Sequence, residues 1–117
     1  MNTKQIYENF LLPQNLQKYV LRAASLASII ADHWTGEKID KNAIIKACLF
    51  HDLTKPMMFD LSKQSQFIKS KEELDNLKIL QKRLIENYGT DEHKATVKAC
   101  KQLGFPPKAL QILKNLQ

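Results

Sequence analysis

The chain has 117 residues, 44% of them apolar, two cysteines and a formal net charge of +6. That supports one domain, residues 1–117, with its own core, and excludes a disulfide scaffold and a disordered composition. Charges interrupt every apolar stretch and the N-terminus lacks the apolar core of a signal peptide, so the expectation is a cytoplasmic protein without a membrane span.

In chain order, Thr3 is placed to cap a short helix running to about Leu11. Pro13 suits a first helical position, with its fixed φ and missing N–H. From there to Trp34 runs the longest helix, with Leu16, Val20, Ala23, Ala27, Ile30 and Trp34 recurring at three- and four-residue steps as a buried stripe, and Gly36 ending it. Asp40 caps the next helix, about Lys41 to Asp52. It is apolar on most faces, as a central helix of a bundle is. Thr54-Lys55-Pro56 stops it, because the residue before proline avoids the helical region. Residues 56–69 read as irregular, with Met57, Met58, Phe59, Leu61 and Phe67 available to pack.

Ser70 and Glu73 read as a capping box. The helix they start carries Leu74, Leu77, Leu80 (or Gln81), Leu84 and Ile85, and stops at Gly89. Thr90 or Asp91 caps a further helix through Val97, Cys100 and Leu103 to Gly104. Pro106-Pro107 open the last one. Both cysteines, Cys48 and Cys100, fall on apolar faces, where a free thiol packs as a small hydrophobe. No alternating stretch is long enough for a sheet. The fold class is all-α, a compact single-domain bundle of five to six helices.

One feature resists the packing explanation. The most apolar helix ends in two polar residues, His51-Asp52. A buried histidine beside a carboxylate must be paired, hydrogen-bonded or metal-bound, and imidazole plus carboxylate suits a divalent transition metal. Neighbours on a helix point about 100° apart, so the two can converge only near a helix end.

The run Ala47-Cys48-Leu49-Phe50-His51-Asp52-Leu53-Thr54-Lys55-Pro56 resembles the signature of the HD superfamily of metal-dependent phosphohydrolases. Asn15–Ala24 looks like that family's first motif helix, where a ligand histidine precedes an arginine by three residues. The resemblance covers about residues 13–117. It implies a helical bundle in which His51 and Asp52 hold a divalent ion (Mn, Mg, Zn or Fe) and Lys55 meets a substrate phosphate. It also implies that Arg22 orients a carboxylate or contacts phosphate, and that His93 stands where some members add a ligand for a second metal. Asp52, Lys55 and Arg22 are then the catalytic candidates.

Two positions depart from the family pattern. Tyr19 stands where the first ligand histidine belongs, and a phenol is mostly protonated near neutral pH. His33 does not replace it, being roughly 21 Å further along the same helix at about 1.5 Å per residue. Asn115 stands where the last ligand aspartate belongs. Two readings follow. One is a degenerate HD-like domain that binds a phosphorylated small molecule, a nucleotide or a partner without a full metal centre, or with no metal at all. The other is a weak or altered metal-dependent phosphohydrolase. A basic helical nucleic-acid binder is the third, resting on net charge alone. The lysines are spread from Lys4 to Lys114 without a dense basic run, which makes a solvated surface the simpler account.

Overall fold

The computed structural model describes residues 2–62 and 70–116. The described residues form six helices and one 3₁₀ turn, without a strand: α1 (Thr3–Asn9), α2 (Gln14–Asp32), α3 (Lys41–Phe50), the turn at Lys55–Met58, α4 (Lys71–Tyr88), α5 (Glu92–Gln102) and α6 (Pro107–Asn115). The all-helical bundle expected from the sequence is the fold found. No helix among the described residues is long and apolar enough to cross a membrane.

The caps explain most of the boundaries. Asp40, Ser70 and Asp91 each accept a hydrogen bond from the backbone N–H three residues on, at 3.0–3.1 Å, satisfying a donor that the first turn leaves open. Gly89 and Gly104 end α4 and stop the chain after α5 with φ of 86° and 83°, where a side chain would be strained. At the N-terminus the cap is Asn2, not Thr3: its side chain accepts from Gln5 N–H while the Gln5 side chain accepts from Asn2 N–H. Pro13 is likewise the residue before α2 rather than its first helical residue. Phe67 lies outside the described residues.

The core gathers Tyr7 of α1, Val20 of α2, Ala43, Ala47 and Phe50 of α3, Cys100 of α5 and Leu113 of α6. Phe50 stands at its centre, 5.6 Å from the Tyr7 ring and 5.0 Å edge-on from Phe105. A second cluster, Met57, Leu80, Leu84 and Ala95, fixes the 3₁₀ turn between α4 and α5. Helix α2 packs chiefly on α3. Its expected stripe is buried only at one end. Val20 is fully buried and Leu16, Ala23 and Ala27 are partly so, but Ile30 and Trp34 are more than half exposed. The periodicity implies one covered face, but the outer half of α2 projects past the helices that could cover it. The shape agrees: the radius of gyration is 15.2 Å and the long axis 50 Å, against about 13 Å for a compact chain of this length.

Candidate functional site at the end of α3

Helix α3 stops at Phe50, two residues before the expected Asp52, and tertiary contacts are the reason. The Leu49 carbonyl accepts the Tyr7 hydroxyl at 2.5 Å, and the Cys48 carbonyl accepts Nδ1–H of His51 at 2.7 Å. With those acceptors engaged, Leu53 N–H turns to Phe50 O and Lys55 N–H to Asp52 O, and the chain leaves the helix in tight turns. Tyr7 sits in the core, and burial pushes its phenol up to about 12, so it remains a donor to that carbonyl throughout the neutral range.

The early stop brings His51 and Asp52 together. His51 Nε2 lies 3.3 Å from Asp52 Oδ2, and the two side chains are 24% and 14% exposed. Because Nδ1 faces a carbonyl, it carries a hydrogen. Nε2 is thereby left to face the carboxylate. Tyr19 completes the cluster. Its ring centroid is 6.3 Å from that of His51, tilted by 57°, and its side chain is 55% exposed.

The other sequence candidates lie elsewhere. Lys55 is exposed and lines a cleft of about 770 Å³ between the α1–α2 turn, the 3₁₀ turn and the start of α4, together with Leu12, Pro13, Phe59 and Leu77. Neither His51 nor Asp52 lines that cleft. Arg22 is exposed on α2, with no ion pair to Asp52 among the described residues. His93 Nε2 donates to the Lys114 carbonyl at 3.1 Å; it ties the start of α5 to the end of α6, a C-cap supplied in trans. Asn115, the last residue of α6, is exposed. His33, just past α2, has Nδ1 on the Ile29 carbonyl.

A divalent centre needs three or four converging donors. Among the described residues no three His, Cys, Asp or Glu side chains converge. Of the four positions that the HD-like pattern would use, two carry Tyr19 and Asn115 in place of histidine and aspartate.

Sequence reasoning missed two residues that hold this site in place. Thr54 and Thr96 are both fully buried. Their hydroxyls lie 2.6 Å apart, Thr54 Oγ1 donates to the Glu92 carbonyl at 3.0 Å, and Thr54 N–H reaches Thr96 Oγ1 at 3.4 Å. One arrangement satisfies all three contacts. The Thr54 hydroxyl donates to Glu92 O, the Thr96 hydroxyl donates to Thr54 Oγ1, and Thr96 Oγ1 accepts the Thr54 amide. This polar strut locks the His-Asp turn to α5. Its only trace in the sequence is a threonine set among the alanines of α5. Comparison with family models, with curated proteins and with solved structures finds no match for this chain.

Proposed function

We propose that this chain is a non-hydrolytic, HD-like helical domain that binds an anionic, phosphate-bearing ligand at the partly exposed cluster of His51 and Tyr19, without a divalent ion. The observation that carries the reading is the exposed Tyr19 ring against His51, where a third metal donor would have to stand. A phenol is a poorer ligand than imidazole for a divalent ion near neutral pH, but its O–H can donate to a phosphate oxygen. The ring edge of His51, partly exposed beside it, and the net positive charge of the chain favour an anionic ligand.

A second reading, metal-dependent phosphate-ester hydrolysis, draws on one feature. His51 anchors Nδ1–H on a backbone carbonyl and presents Nε2 beside a carboxylate, which is how metal-binding histidines are held. One set of titrations separates the two. Calorimetry with inorganic phosphate and with AMP in excess EDTA should give saturable binding that weakens about tenfold in Tyr19→Phe. That loss corresponds to about 1.4 kcal/mol, an ordinary value for a hydrogen bond to a charged group. Stoichiometric Mn²⁺ or Zn²⁺ binding that disappears in His51→Ala, with phosphate binding abolished by EDTA, would overturn the proposal in favour of the hydrolase.

A further inference from the structure

The outer half of α2 is apolar on two faces, and only one of them is covered. Val20, Ala24, Ala27 and Ala31 turn toward the protein. On the other side Leu26 and Ile29 are each 59% exposed, and on the flank between the two faces Ile30 is 55% and Trp34 54% exposed. Arg22, Leu26, Ile29 and His33 recur at steps of four and three, the spacing of a helix seam. A monomer rarely leaves such a strip open without a use for it.

Trp34 is held ready. Its indole N–H donates to the Glu37 carbonyl at 2.8 Å. Gly36 lies under the ring, so near that a Cβ there would come within 2.9 Å of it. The ring is thus fixed in one orientation while more than half of it faces outward. An aromatic anchor immobilised before binding loses little entropy on docking. Beside it, Ala27, Ile30 and Ala31 of α2 with Ile39 and Ile44 form an apolar groove of about 290 Å³.

We infer that this strip is the contact between two copies of the chain, with the two α2 helices antiparallel about a two-fold axis near Ala27 and Ser28. The charges select both the partner and the direction. The first half of α2 carries Lys18 and Arg22 and no acid, and the helix ends on Asp32. Asp32 lies at the end of the helix that its own dipole disfavours. Arg22 has no ion-pair partner among the described residues, and Asp32, itself more than half exposed, holds Lys41 through Oδ1. An antiparallel copy sets Leu26 against the second copy's Ile29, and Arg22 beside the second copy's Asp32 and His33. A parallel copy would put arginine against arginine. The contact is self-complementary, as an isologous interface must be.

Four exposed side chains make a small patch beside the roughly 800 Å² per partner of a standard interface, so the dimer is a reversible, concentration-dependent one.

Sedimentation velocity on the full chain across the micromolar range tests this. The expected result is a concentration-dependent monomer–dimer equilibrium, abolished in Ile29→Lys with the helical circular dichroism and melting temperature retained. Ile79→Lys, at an equally exposed isoleucine on α4, should leave it unchanged. Arg22→Asp should weaken association about tenfold, and Arg22→Asp combined with Asp32→Arg should restore it. A wild-type chain that stays monomeric throughout overturns the inference, as does a dimer indifferent to Ile29→Lys. Failure of the charge exchange to restore association overturns the antiparallel register. None of these readouts uses a ligand, so they stand or fall apart from the proposed binding site.

Discussion

Thr96→Val should destabilise this protein more than Thr54→Val, although the two hydroxyls share one hydrogen bond. Both substitutions keep the side-chain shape and both residues are fully buried, so packing changes little and the difference reports polar groups left without partners. Removing the Thr96 hydroxyl strips the Thr54 amide of its acceptor, Thr96 Oγ1. A buried donor without a partner costs about 1–3 kcal/mol; the contact is long at 3.4 Å, so about 2 kcal/mol is expected. Removing the Thr54 hydroxyl takes a donor from the Glu92 carbonyl. That carbonyl belongs to the residue four before Thr96 in the same helix, so the Thr96 hydroxyl can turn onto it, and the loss falls to about 1 kcal/mol. The double variant should cost more than the sum of the two, because with Thr96 gone no hydroxyl remains to take over the Glu92 carbonyl. Urea unfolding followed by circular dichroism at 222 nm measures all three. At about 5 °C per kcal/mol for a domain of this size, melting temperatures should fall by about 10 °C and about 5 °C. A Thr54→Val loss equal to or larger than that of Thr96→Val would refute the assigned direction of the hydroxyl chain, and fully additive losses would refute the coupling.

Burial holds the Tyr7 phenol and the Cys100 thiol near 12, from ordinary values of 10.0 and 9.0. Both are neutral in the fold and ionise first in the unfolded chain, so their stabilising effect is complete below pH 9 and is lost as pH climbs from 9 toward 12. Urea midpoints should accordingly fall across that window, and Tyr7→Phe should flatten its upper part while lowering stability at neutral pH by about 1 kcal/mol through the lost Leu49 bond. His93→Ala should cost about 1 kcal/mol by freeing the Lys114 carbonyl, with faster amide exchange confined to the end of α6. Loss of a bound metal in that variant instead would show that His93 is a ligand.

The features legible in the sequence are those that neighbouring residues decide. Asp40, Ser70 and Asp91 cap helices because an N-cap needs only its own side chain and the amide three residues on. Gly89 and Gly104 end them because φ is a property of one residue. The all-helical fold followed from such local signals and from apolar spacing, and so did the prominence of His51-Asp52 at the end of the most apolar helix. Three things required the tertiary structure. Helix α3 ends at Phe50 because Tyr7, 42 residues away, takes the Leu49 carbonyl, and that stop is what sets His51 against Asp52. Lys55, Arg22, His93 and Asn115 separate from the pair because each follows its own helix or turn, and order along a motif does not fix distance in space. Ile30 and Trp34 fit a buried stripe by spacing yet stand exposed. Periodicity tells which residues share a face of a helix, but only the packing of other elements decides whether anything covers it.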